Sequence, residues 1–378
     1  MKALRNLFDK MRPTFSEGGK LHMFRSLYEG FESFLFVDPI QAKRGTHIHD
    51  CIDSKRLMTF VIIALMPALL FGMYNVGYQH YQHINETVGF AGMFLYGLGA
   101  VLPKIVVSYV VGLGIEFTVA QWKHEEIQEG FLVTGMIIPM IIPVTTPLWI
   151  LALATAFSVI FAKEVFGGTG YNIFNVALIT RAFLFFSYPQ AMTGDKVWVS
   201  NTILGTDGIS CATPLAEPAK TNLIDAVTGL IPGCIGETSV IAIAIGAIFL
   251  IATNVASWKT MLSVFIGGAL VAFLYNNVCP DTNAAAQIPW YEHLCLGGFC
   301  FGAVFMATDP VTSARTETGK YIYGFLIGVI AITVRVLGGY AEGMMLAILV
   351  MNMFAPLIDF FVVDKNIKQR MSRAKTTK

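Results

Sequence analysis

The sequence predicts an all-α integral membrane protein. It should hold about ten transmembrane helices in two inverted five-helix repeats with half-helices, preceded by a cytoplasmic amphipathic N-terminal segment. Three observations predict it. Hydrophobic residues make up 55% of the 378 and charged residues only 13%, with a mean hydropathy of +0.62, a composition that belongs to membrane proteins rather than soluble domains. Ten apolar segments divide the chain. The Lys and Arg residues then fall almost entirely on one side of the alternation that those segments impose.

Residues 1–56 come first, with ten Lys and Arg before any long apolar run, which is not the pattern of a cleaved signal peptide. Within them Phe24, Leu27, Tyr28, Phe31, Phe34 and Leu35 recur at helical spacing among Lys20, Arg25, Glu29 and Glu32. That pattern predicts an amphipathic helix lying on membrane lipid or against a partner, with the entrance of a lipid-soluble substrate as a second place for it.

The apolar segments run near 57–74, 94–121, 130–142, 147–162 and 173–187, and then near 238–256, 259–279, 293–307, 321–337 and 343–363. A span needs about 20 residues, so 130–142 and 293–307 are too short to cross alone. They read as half-helices, tolerated at membrane depth only where protein covers their ends or a cavity adjoins them. Gly130, Pro139, Pro143 and Pro147 bracket the first of them. Gly130-Phe131 with Pro143-Val144-Thr145 echoes Gly298-Phe299 with Pro310-Val311-Thr312, and the Phe-to-Pro spacings are 12 and 11 residues. Each short segment is third in its set of five, and an odd-numbered repeat must insert its second copy upside down. The chain therefore divides into an N-terminal region 1–56, a first repeat 57–187, an external loop 188–237, a second repeat 238–363 and a basic tail 364–378.

With the N-terminus inside, 21 of the 26 Lys and Arg lie on the inner side and two, Lys196 and Lys220, on the outer side. Both termini are then cytoplasmic, as an even number of crossings requires. Lys104, Arg181 and Arg335 remain inside apolar segments; pairing with acidic side chains or a bound phosphate would lower the cost of burying the two arginines. The six cysteines show no C-x-x-C and no zinc or iron–sulfur spacing, so they read as small apolar fillers and no metal cluster is expected. No nucleic-acid partner is expected.

The long hydrophilic loop holds Asp207-Gly208-Ile209-Ser210-Cys211-Ala212-Thr213-Pro214-Leu215-Ala216. Pro214 disfavours a helical Thr213 and presents its hydroxyl on extended backbone. The plain alternative is an ordinary Ser/Thr turn. The stretch resembles the Asp-Gly-x-Ser-(small)-Ala-Thr signature of flavinylated membrane subunits, in which the threonine carries FMN through a phosphoester bond. Further motifs are Lys123-His124-Glu125, the run from Ala162-Lys163-Glu164 to Gly167-Gly168-Thr169-Gly170, Arg181-Ala182-Phe183-Leu184-Phe185-Phe186, Asp281-Thr282-Asn283 and Met306-Ala307-Thr308-Asp309-Pro310-Val311. On these, the chain resembles the B subunits of sodium-translocating NADH:quinone oxidoreductases nearly end to end, from Gly18-Gly19-Lys20 to Val363-Asp364-Lys365-Asn366-Ile367. One departure is Cys211, where that family usually has Gly; cysteine is small, so attachment at Thr213 should survive.

The resemblance implies a membrane flavoprotein working with the other five subunits of a six-subunit complex in the bacterial inner membrane. Electrons from NADH would reach a covalent FMN on Thr213, installed by a flavin transferase, pass to a non-covalent riboflavin and then to quinone, while sodium ion crosses. Asn172 and Asn175 are the riboflavin candidates, with a helix N-cap as the plain role for Asn172. Gly112, Glu129, Gly130, Phe131 and Thr134 are the quinone candidates, with helix packing around small residues as the alternative. Glu116 and Asp359 are ion-pathway candidates as acids at membrane depth, or else solvated carboxylates near inner helix ends. The glycine turn lacks G-x-G-x-x-G and follows no strand, so NADH should bind elsewhere. Two other functions are compatible: the D subunit of the related Rnf complex, against which the long basic N-terminus argues, and a non-redox secondary transporter.

Overall fold

The computed structural model describes residues 2–15, 28, 32, 35–36, 45–46, 54–84, 86, 88–123, 130–189, 192, 213–215, 222–278, 285–338 and 343–376. Among them the regular elements are all helices. A surface helix α1 (Lys2–Phe15) precedes α2 (Ser54–Ile84), α3 (Phe90–Lys123), the short α4 (Phe131–Met140), α5 (Leu148–Ser158) and α6 (Val176–Ser187). After the short α7 (Leu223–Thr228) come α8 (Val240–Ala252), α9 (Trp258–Val278), the short α10 (Trp290–Cys295), α11 (Phe299–Phe301, continued as a π-helix to Met306), α12 (Glu317–Leu337) and α13 (Gly343–Thr376).

Every apolar segment predicted from sequence contains a helix. Six helices are long and apolar enough to cross a membrane: α2, α3, α5 with its continuation to Phe166, α9, α12 and α13. Helices α4, α6 and α8 are shorter apolar helices of 10 to 13 residues. The segment expected as one half-helix over 293–307 is two pieces. Gly297, at φ +65°, breaks it between α10 and α11, a conformation that only glycine takes without strain.

Among lipid tails, burial of apolar surface gives no drive for helix to pair with helix, so close backbone approach must do it. The α2–α3 pair uses reciprocal glycines: a Cβ on Gly97 would lie 1.7 Å from the Met73 carbonyl oxygen, and one on Gly77 would lie 1.9 Å from that of Met93. Helix α2 also packs on α8, α9 on α12, and α12 on α13.

The two short helices are set in place alike. Phe131 and Phe299, the first residues of α4 and α11, are both fully buried. Each ring fills a notch over a glycine of the second helix of its set, Gly112 of α3 and Gly268 of α9. Three residues before each glycine an aromatic ring, Tyr109 or Phe265, meets that phenylalanine edge-on.

The amphipathic helix expected over 24–35 lies mostly outside the described residues. What is described is α1, whose Phe8 and Phe15 rings contact Tyr28 and whose Phe8 carbonyl accepts from the Tyr28 hydroxyl at 2.7 Å.

Candidate functional site

A cleft opens where the starts of α2 and α4 meet the turn after α5 and the end of α11. Its wall includes Met58, Gly130, Thr134, Lys163, Thr169, Asn172, Asn175, Phe305, Thr308 and Asp309. The turn that shapes one side is Gly167-Gly168-Thr169-Gly170, in which all three glycines have positive φ, +113°, +92° and +98°. This conformation lets the chain double back off α5 and carry both asparagines to the cleft. Both helices that border the cleft widen into π-helix there, α5 over Val159–Lys163 and α11 over Gly302–Met306. Such widenings recur at functional sites.

Asn175, not Asn172, caps a helix: its Oδ1 accepts from the Ala177 and Leu178 N–H groups at the start of α6. Its Nδ2 donates to Asp309 Oδ2 at 3.2 Å. Asn172 closes the glycine turn, accepting from Gly170 N at 3.2 Å and donating to Phe174 O at 3.0 Å. An amide carries two N–H donors, and these bonds use one from each asparagine. Asp309 is further held by Thr312 Oγ1 at 2.9 Å and Val311 N at 3.2 Å.

Behind the cleft lies a buried ion pair. Glu116 of α3 and Lys163, at the end of α5, are each 3% exposed and hydrogen-bonded to one another. Of the two readings of Glu116, an acid at membrane depth or a solvated carboxylate, its burial excludes the second: α3 turns it inward along the stripe Gly97, Val101, Lys104, Ser108, Gly112 and Glu116, whose spacing keeps it on the buried face. Lys163 Nζ also lies 6.0 Å from the centre of the Phe131 ring.

A second polar group joins the far end of α4. Arg181 of α6 donates to Ile141 O at 2.5 Å and Glu237 Oε1 at 2.9 Å, while Gly236 N donates to Met140 O at 2.9 Å. The terminal carbonyls of the short helix thus find donors although no water need reach them. Arg335 of α12 is buried with carbonyl partners, donating to His293 O at 2.6 Å and Leu296 O at 3.1 Å. Beyond it, Leu215 and Arg335 Nη2 both lie within 3.4 Å of where a Cβ on Gly297 would be. Two residues before Leu215, the Thr213 hydroxyl oxygen is buried without a hydrogen-bond partner among the described residues.

The model of the NQR2, RnfD, RnfE family matches residues 41–368. The chain belongs to this family. Among relatives, the B subunit of the Na(+)-translocating NADH-quinone reductase of Chromohalobacter salexigens is 43% identical over 98% of this chain and 96% of its own. The B subunits of the same reductase from Pseudoalteromonas atlantica and Neisseria meningitidis serogroup A are 41% and 40% identical, over 98% of this chain and 99% of theirs.

Of the residues singled out in this family member, the structure brings Gly130, Thr134, Asn172 and Asn175 into one cleft. Phe131 lies behind its wall, seated over Gly112. Glu129 and the segment 207–212 lie outside the described residues. Asp359 stands apart: its carboxylate accepts from Arg315 N at 2.7 Å, Thr316 N at 3.0 Å and Thr316 Oγ1 at 2.6 Å, which braces Thr316, the N-cap of α12. Lys163, Asp309 and Glu237 were not singled out. Lys163 and Asp309 sit within the sequence motifs, and Glu237 would have emerged from asking which acid lies near enough in the fold to pair with Arg181.

Proposed function

We propose that this chain is the membrane subunit of a sodium-translocating NADH:quinone reductase in which a covalent FMN on Thr213 passes electrons to a riboflavin in the cleft, and from there to quinone. The observation that carries this reading is the cleft itself, which gathers the asparagines proposed for riboflavin and the Gly130–Thr134 stretch proposed for quinone. The free N–H of each asparagine suits the carbonyls on the polar edge of an isoalloxazine ring. Gly130 and Thr134, at the rim formed by the start of α4, offer quinone an approach to that ring. The flavins supply the redox chemistry; the chain's own residues hold the rings, keep water from them and set their surroundings. The matched seating of Phe131 and Phe299 favours the ten-helix inverted repeat, with Thr213 on the outer side and the cleft on the inner side. Electrons then need a carrier within a hydrocarbon core of about 30 Å. Sodium export, the partner subunits and the bacterial inner membrane follow from the same reading.

Two variants test it in the assembled complex. Thr213→Ala should abolish in-gel flavin fluorescence of this chain under denaturing conditions, and a band of equal strength would remove the attachment site. Asn172→Ala should lower extractable riboflavin at least tenfold while sparing the covalent FMN. Asn172 is the cleaner choice because Asn175 also caps α6.

A further inference from the structure

Lys163 is the one cationic side chain among the described residues that line the cleft, and Asp309 is the one anionic residue. The two differ in how they are held. Asp309 is bound by three donors, from Asn175, Val311 and Thr312. Lys163 Nζ is bonded to Glu116, which is not part of the wall, so of the two partners only Lys163 reaches the cleft. The π-helical widening of α5 over Val159–Lys163 ends on this residue.

As a purely structural fastening the pair is poorly made. Glu116 Oε2 is buried with no hydrogen-bond partner among the described residues, whereas a buried ion pair stabilises only when its remaining lone pairs are satisfied. Glu164, the next residue, turns instead toward Lys123, 4.0 Å away. Glu237 Oε2, in the Arg181–Glu237 pair, is likewise unpartnered among the described residues; what sets Glu116–Lys163 apart is that one of its two charged residues belongs to the cleft wall.

We infer that Lys163, backed by Glu116, sets the reduction potential of the ring bound in the cleft. This rests on the riboflavin reading of the cleft. Each electron arriving from the covalent flavin places one negative charge on the ring and leaves again toward quinone. Lys163 keeps its proton, no bond to it forms or breaks, and its charge favours the reduced ring. Glu116, at the far end of the pair, moderates that field.

The pair makes two predictions of opposite sign. In the assembled complex the non-covalent flavin is titrated spectroelectrochemically in the wild type and in Lys163→Met, Lys163→Arg and Glu116→Gln. Lys163→Met should shift the one-electron equilibrium toward the oxidised ring at least tenfold, about 59 mV downward for one electron. Lys163→Arg should restore most of it, and Glu116→Gln should move the potential upward. Structural damage would move Lys163→Met and Glu116→Gln the same way, and that outcome, or unchanged potentials with flavin retained, overturns the inference. If Lys163→Met does not assemble, judged by loss of the covalent-flavin band, Glu116→Gln decides alone: a rise supports the inference, no change or a fall overturns it. Asn172→Ala that keeps its riboflavin would instead sink the reading of the cleft, a result distinct from a cleft that holds riboflavin but ignores Lys163.

Discussion

At its start, α4 seats Phe131 over Gly112 with Tyr109 edge-on, and α11 seats Phe299 over Gly268 with Phe265 edge-on. At their ends the two short helices diverge. The last carbonyls of α4 are sealed by Gly236 N–H and by Arg181, itself held by buried Glu237. Helix α11 runs instead into Thr308 and Asp309 at the cleft. A helix end at membrane depth has to be satisfied by protein or open onto a cavity, and this molecule does one at each. The sealed end is closed by protein; the open end borders the cleft.

The sealed end should be the easier to break. Removing one partner of a buried ion pair typically costs about 3–5 kcal/mol because the other charge is stranded. Glu237→Ala should therefore give the largest loss, seen as a lower midpoint for heat-induced loss of the monodisperse flavin-fluorescent peak. Adding Arg181→Met to Glu237→Ala should recover much of that loss. No recovery in the double variant would mean that Arg181 does not depend on Glu237 for a partner.

The matched starts predict a smaller, graded pair. Overfilling a packed site costs about 1–3 kcal/mol. A Cβ on Gly112 would lie 1.9 Å from the Phe131 ring and one on Gly268 2.5 Å from the Phe299 ring. Gly112→Ala should lower the same midpoint more than Gly268→Ala, and Phe131→Leu should relieve it. Equal shifts would dissolve the parallel between the two notches. The smallest effect belongs to a third helix end. Asp359→Asn weakens the brace on Thr316, the N-cap of α12, and should cost about 1 kcal/mol, the typical net worth of a hydrogen bond, read by the same thermal assay.

Helix positions and the apolar character of the long helices were legible from composition and segment length, because a bilayer demands long runs of apolar residues; the break at Gly297 within 293–307 was not. The Gly-Phe…Pro-Val-Thr echo was legible too, as a local motif. The glycine turn and the asparagines after it stood out as a motif, but only the fold showed that Asn175 caps α6 while Asn172 closes the turn. Hydrophobicity alone left Glu116 open between an acid at membrane depth and a solvated carboxylate near a helix end. It is buried because the face of α3 that carries it packs against α5 and meets Lys163, 47 positions further on. Arg181 finds Glu237 across 56 positions, and Asn175 finds Asp309 across 134. Sequence by itself determined which residues enter the membrane and where α4 must end, since those follow from local polarity and backbone chemistry. Which charges face one another was decided by the tertiary structure alone, because pairing depends on helix rotation and packing between segments distant in the chain.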